Sequence, residues 1–95
     1  MQFRDNYQYQ YISTQTTTVV DAAGQGQLVR IVLGETAAGA ITIYDAISGA
    51  TTTTIAVLKA SIAEGVYEFN VQYKAGLQIV TAGASKLTVV YSPIN

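Results

Sequence analysis

The chain lacks cysteine, histidine and tryptophan, and it contains one proline and few charged residues. Without histidine and cysteine, the commonest general base, the thiolate nucleophile and the soft metal ligands are all missing. The absence of cysteine also excludes disulfides, which fits a reducing cytoplasm. These absences argue against an enzyme, so we predict no catalytic, cofactor-binding or metal-binding residues.

Six carboxylates are the remaining candidates for acid–base or metal chemistry: Asp5, Asp21, Glu35, Asp45, Glu64 and Glu68. Five of them lie in the N-terminal segment or beside predicted turns, and Glu68 lies on the polar face of a predicted strand. No pair is placed to flank a sugar, and each loop offers a single acid without the spacing of a calcium loop. We therefore predict that all six are solvated surface groups.

Charged residues make up 12% of the 95-residue chain, about half the usual share, and the net charge is −1. A surface with so little charge suits a protein that is largely covered by neighbours, although threonine, glutamine and serine also solvate a surface. Basic residues occur singly, which argues against nucleic-acid binding. Neither a signal peptide nor an apolar run long enough for a membrane span is apparent. A single domain of this size is expected to be marginally stable alone.

Alternating apolar and polar residues with turn signals between them predict strands throughout the chain. The clearest example is 39–58, where two β-branched arms flank the turn group 45–49 and predict a β-hairpin. The fold class that follows is all-β: a small antiparallel β-sandwich or jelly-roll-like barrel of seven or eight short strands. The sequence of residues 59–65 is compatible with a short helical turn. Leu28, Arg30 and Val32 are expected to face outward. The residues predicted to face the core are Val29, Ile31, Leu33, Ile41, Ile43, Ile55, Val57, Tyr67, Phe69, Val71, Tyr73 and Leu87.

Residues 1–15 differ from the rest because tyrosines alternate with glutamines there. We predict an extended N-terminal arm or edge strand over 1–15 and a single β-sandwich domain over 16–95. Tyrosine provides a large contact area and a hydroxyl group, and it is enriched at interfaces. The predicted partner-binding residues are Phe3, Tyr7, Tyr9 and Tyr11; the alternative is that these rings pack on the chain's own sheet.

Three segments, GAITIYDAISGATTTTIAVL, GVYEFNVQYKAGLQIVTAG and KLTVVY, resemble short virion proteins of tailed bacteriophages. The resemblance covers residues 28–91 and implies a non-enzymatic capsid decoration or cement protein on the phage head. It implies the major capsid protein or other virion proteins as partners, a homo-oligomer with a trimer as one candidate, and a location in the virion after assembly in the host cytoplasm. The alternative is a tail, fibre or head–tail connector component that acts as a binding module, with carbohydrate as a candidate ligand.

Overall fold

A computed structural model describes residues 7–47 and 53–93 of the chain. The described residues form eight β-strands and no helix. The strands are β1 (Gln8–Ile12), β2 (Thr17–Asp21), β3 (Gly26–Glu35), β4 (Ile41–Tyr44), β5 (Thr54–Leu58), β6 (Gly65–Tyr73), β7 (Leu77–Thr81) and β8 (Lys86–Pro93). The predicted helical turn over 59–65 is a tight turn, closed by a hydrogen bond from the Ile62 amide to the Lys59 carbonyl. No helix in these ranges is long and apolar enough to cross a membrane.

The eight strands divide into two antiparallel sheets of four. Sheet A has the order β1-β8-β3-β6, and sheet B has the order β2-β7-β4-β5. The chain alternates between the sheets at every connection except β4 to β5, which pair as a hairpin. This arrangement is a jelly-roll sandwich. The all-β prediction and the hairpin within 39–58 are confirmed, whereas Ser48 and Gly49 of the predicted turn lie outside the described residues.

The core lies between the two sheets and is built from inward-facing aliphatic side chains with buried tyrosines. Fully buried members include Leu28, Ile31, Ile41, Ile43, Ile79, Leu87, Val89 and Tyr73. Strand residues alternate between the two faces of a sheet, so each sheet buries one face here and leaves the other outside. Seven of the predicted core residues are confirmed as buried: Val29, Ile31, Leu33, Ile41, Ile43, Tyr73 and Leu87. Tyr67 and Phe69 on the edge strand β6 are partly buried against the core, whereas Val71 is 38% exposed.

The predicted faces of β3 are wrong at Leu28, which is fully buried although simple alternation places it outside. Leu28 pairs with Tyr91, and Arg30 pairs with Val90. The chain therefore advances two residues along β3 but only one along the antiparallel β8. Val29 is therefore the extra residue of a β-bulge, and a bulge resets the alternation of side chains. As a result Leu28 and Val29 are both buried, and the predicted pattern holds from Arg30 onward.

A second bulge makes the prediction for Val57 wrong, because this side chain is 58% exposed. Val57 pairs with Thr42, which lies on the outer face of sheet B, while Leu58 takes the core position opposite Ile41. The register shifts at Ile55, which is only partly buried against the core. A one-residue change of register moves a whole strand segment to the other face.

Two polar contacts hold the chain where it passes between sheets. The Thr81 hydroxyl donates to the Thr14 carbonyl at 2.8 Å and accepts from the Thr16 amide at 2.9 Å, which holds the passage from β1 to β2. The buried Tyr73 hydroxyl donates to the Asp21 carboxylate at 2.5 Å. The prediction of a solvated carboxylate is therefore wrong for Asp21, which is itself buried. Burial raises the pKa of Tyr73, and the Asp21 charge raises it further, so this hydroxyl remains a donor. Buried polar groups paired in this way cost little and fix a unique arrangement.

Candidate interaction surface

The predicted tyrosines lie on the edge strand of sheet A. β1 pairs with β8 in antiparallel register, with Tyr9 opposite Val90 and Tyr11 opposite Thr88. Tyr9 and Tyr11 point outward, and Tyr7 immediately before the strand is also exposed. The alternate residues, Gln8 and Gln10, share the inner side of the strand with Ile12. Phe3 lies outside the described residues.

Residues opposite each other in an antiparallel sheet share a face, so the register defines the whole outer surface of sheet A. One row across the four strands is Tyr11, Thr88, Val32 and Val66; the next is Tyr9, Val90, Arg30 and Glu68. We call these two rows together with Tyr7 the tyrosine face. It carries three exposed rings and the exposed Val66. An exposed apolar surface of this kind marks an interaction site more often than a free surface.

The tyrosine face contains one ion pair, at the end farthest from β1. Arg30 Nε donates to Glu68 Oε2 at 3.0 Å, and the side chains are 34% and 54% exposed. Arg30 was expected to face outward, and it does, with its guanidinium against a carboxylate. An exposed pair of this kind adds little to stability. Because the two charges neutralise each other, the tyrosine face carries no net charge.

A shallow depression of about 500 Å³ opens at one end of the tyrosine face. Tyr11 and Thr88 line it together with three charged side chains. Lys86 Nζ lies 2.9 Å from Glu35 Oε1, and Glu64 Oε2 accepts a 3.2 Å hydrogen bond from a backbone amide. The bond to Glu35 and its charge raise the pKa of Lys86, which therefore stays protonated. The depression thus combines an aromatic ring with fixed hydrogen-bonding groups.

Sequence reasoning named the tyrosines but missed this depression, whose lining residues come from β1, β3, β8 and the turn before β6. Glu35 and Glu64 were interpreted as solvated and Lys86 as an isolated basic residue, and nothing in their local sequence indicates that they lie close together. Within residues 7–47 and 53–93, no group of three carboxylates is arranged to hold a metal ion. The surface can therefore bind by apolar contact, aromatic stacking and hydrogen bonding.

Comparison with known proteins finds no matching family model and no matching curated protein. Among solved structures, the chain is similar to the Drosophila NLP core, with a TM-score of 0.64 and 14% identity. The similarity covers 96% of this chain and 100% of the other. That structure is described as giving insight into pentamer formation and histone binding. At this level of identity the similarity concerns the fold: a complete β-sandwich of the same kind.

Proposed function

We propose that the chain is a non-enzymatic structural protein of a virion, and that it decorates the head of a tailed bacteriophage. The tyrosine face is the observation that carries the proposal. On this hypothesis Tyr7, Tyr9 and Tyr11 contact the major capsid protein or a neighbouring copy, and burying them removes exposed apolar surface from water. The resemblance of residues 28–91 to short virion proteins supports a location on a phage particle, and the low charge of the chain is consistent with that location.

Assembly into a homo-oligomer is part of the same proposal. A small domain gains stability when its folded state binds neighbours, because binding shifts the folding equilibrium by mass action. A jelly-roll sandwich of this kind is compatible with rings, since the Drosophila NLP core is described in connection with pentamer formation. Histone binding is not carried over: this chain has a net charge of −1, and a basic partner calls for a strongly acidic surface.

The first test asks whether the chain is present in purified virus particles and in which part. Phage heads and tails are separated on a density gradient, and the chain is quantified in each fraction by mass spectrometry. We expect it in the head fraction at a fixed ratio to the major capsid protein. Its presence only in the tail fraction would favour the alternative below, and its absence from both would overturn the proposal.

The second test asks whether the tyrosine face makes the contact. The double variant Tyr9→Ser and Tyr11→Ser removes two exposed rings without touching the core, and we expect it to lose particle occupancy. The matched control is Val57→Ser, which removes a comparably exposed side chain from the outer face of sheet B. Equal occupancy for both variants would exclude the tyrosine face as the binding surface.

A tail, fibre or connector module that binds carbohydrate is the second candidate. The depression beside Tyr11 favours it, because aromatic rings next to hydrogen-bonding side chains suit a sugar ring. A glycan-array signal that disappears in Tyr11→Ala, together with unchanged particle occupancy, would favour this function over decoration. Binding to particles in the presence of excess sugar would favour decoration.

A further inference from the structure

The four edge strands of the two sheets differ in regularity. Those of sheet A are β1 and β6, and those of sheet B are β2 and β5. Each of β2, β5 and β6 carries an extra residue relative to its partner strand, within 19–21, 54–56 and 68–71 respectively. Bulges and charges on edges are the devices by which sheets avoid pairing with other chains. Three of the four edges are protected in this way.

The fourth edge, β1, has neither device. Gln8 to Ile12 pair one for one with Tyr91 to Leu87, without a shift of register. The segment from Tyr7 to Ile12 contains no charge, no proline and no glycine. Among the described residues no strand pairs with its outer edge. A regular, uncharged edge with unpaired backbone groups is a template for another strand.

The sequence of this edge is complementary to itself. In an antiparallel pair about a two-fold axis at Tyr9, Tyr7 faces Tyr11 of the other copy, Gln8 faces Gln10, and Tyr9 faces its own equivalent. Rings then meet rings on the outer face, and amides meet amides on the inner one. Moving the axis to Gln10 would instead place Gln8 opposite the buried Ile12. Cross-strand aromatic pairs are favourable, and an uncharged strand brings no like charges together.

We propose that β1 pairs with β1 of a second copy about a two-fold axis at Tyr9, which joins two sheets A into one eight-stranded sheet. The rings of Tyr7, Tyr9 and Tyr11 are 52%, 73% and 53% exposed. Together they offer at most roughly 700 Å² for a pair of copies, below the roughly 1,200 Å² that specific stable interfaces bury. The contact is therefore weak in dilute solution and forms where copies are held close together.

High local concentration is what a particle surface supplies, and this step rests on the proposed function. Copies bound to neighbouring sites have an effective concentration on the order of millimolar. Edge pairing between them makes occupancy cooperative without requiring a stable dimer beforehand. The two-fold contact pairs the backbone edges of β1 and places Tyr7, Tyr9 and Tyr11 of the two copies side by side on the joined outer face.

The natural chain has no cysteine, so single-cysteine variants report the pairing directly. We would oxidise Tyr9→Cys, Gln10→Cys, Tyr11→Cys and the control Val66→Cys at roughly millimolar concentration. A disulfide requires Cα atoms within about 7 Å, which only the residue on the axis satisfies. Two copies of residue 11 would stand about 14 Å apart. Val66 is similarly exposed but lies on the bulged edge strand β6.

We expect a covalent dimer at least tenfold more abundant for Tyr9→Cys than for the other three variants. The double variant Tyr7→Cys with Tyr11→Cys should also cross-link, because the axis places these two positions opposite each other. Equal yields at Tyr9 and Val66, or no dimer in any variant, would overturn the pairing. A maximum at Gln10→Cys would overturn the axis at Tyr9. Each variant is first checked for native circular dichroism; if Tyr9→Cys fails that check, the double variant decides.

The outcomes also separate this inference from the proposed function. A chain that is found on heads but gives no cross-link contradicts the pairing alone. A chain that cross-links at Tyr9 but is absent from purified particles contradicts the decoration role alone. A third arm uses Tyr9→Lys, which places two ammonium groups face to face on the axis, with Val66→Lys as the control. Sedimentation at high concentration should show dimer for the control and monomer for Tyr9→Lys, and the reverse would overturn the pairing.

Discussion

Asp45 is the residue that joins the hairpin to the turn between β6 and β7. Its carboxylate accepts backbone hydrogen bonds from Lys74 at 2.9 Å, Ala75 at 2.7 Å and Gly76 at 3.2 Å. Successive amides that converge on one anion form a nest that favours negative charge. Burial alone would raise the pKa of Asp45, but these three bonds and the charge of Lys74 hold it below its usual value. The ionised carboxylate is thus part of the folded structure.

Replacing Asp45 by alanine should lower the free energy of unfolding by about 1–2 kcal/mol at pH 7, because three backbone donors lose their acceptor. A carboxylate whose pKa is lowered on folding contributes stability above its unfolded pKa and loses it as pH falls through the folded one. The difference between wild type and Asp45→Ala should therefore shrink below about pH 4. Urea titrations of both proteins at several pH values measure this difference in the free energy of unfolding. A constant difference from pH 7 to pH 2 would show that the charge of Asp45 is not involved.

At the scale of elements, two connections pass each other with almost no space between them. Gly39 precedes β4 and lies against the turn between β7 and β8. A Cβ at Gly39 would lie 2.4 Å from the Ala82 carbonyl carbon and 2.4 Å from the Gly83 nitrogen. These are backbone atoms, which cannot rotate away as a side chain can. The approach also allows the Ala82 amide to donate to the Ala40 carbonyl at 3.0 Å.

Gly39→Ala should therefore destabilise the protein by about 1–3 kcal/mol, since added volume at a closely packed site forces the backbone apart. Gly34→Ala is the matched control, because the nearest atom to a Cβ there is the Lys86 carbonyl oxygen at 3.7 Å. Thermal melts of the two variants beside wild type make the comparison. An equal loss of stability in both would mean that the contact between the two connections is unimportant.

The elements themselves were predictable because strand periodicity is a local property. The two arms of the hairpin alternate strongly enough to reveal β4 and β5, and the glycine-rich breaks separate the remaining strands. The bulges were not predictable, because an extra residue is defined only against the partner strand. Leu28 and Val57 were assigned to the wrong faces for this reason. Each lies within three residues of a register shift, and the sequence of its own strand contains no signal of that shift.

The candidate surface was predictable in its aromatic part alone. Tyr7, Tyr9 and Tyr11 stand out by their alternation with glutamine in a segment without charge. The ion pair of Arg30 with Glu68 required knowledge that β3 pairs with β6 across 38 positions of sequence. The depression required four separate segments to be brought together. A binding surface that depends on the order of strands in a sheet can therefore be identified from the structure but not from the periodicity of the sequence.

At the scale of the whole molecule, the protein is a slab of 41 × 31 × 18 Å with a radius of gyration of 12.6 Å. Two stacked sheets leave two broad outer faces, and 12% charged residues leave those faces weakly solvated. The ion pairs at Arg30 and Lys86 compensate part of that charge locally. Little electrostatic repulsion therefore opposes contact between copies. A free monomer exposes apolar area that contact with a neighbour would bury.

Stability should therefore depend on protein concentration. A partner that binds only the folded state adds about 1.4 kcal/mol at a concentration tenfold above the dissociation constant. For a domain of this size that corresponds to a rise of roughly 5–10 °C in Tm. Scanning calorimetry of the wild type over a hundredfold range of concentration should show the rise, whereas Tyr9→Lys should give a constant Tm. A wild-type Tm that does not move would mean that the folded state gains nothing from contacts between copies, and the chain would then require a different partner for its exposed face.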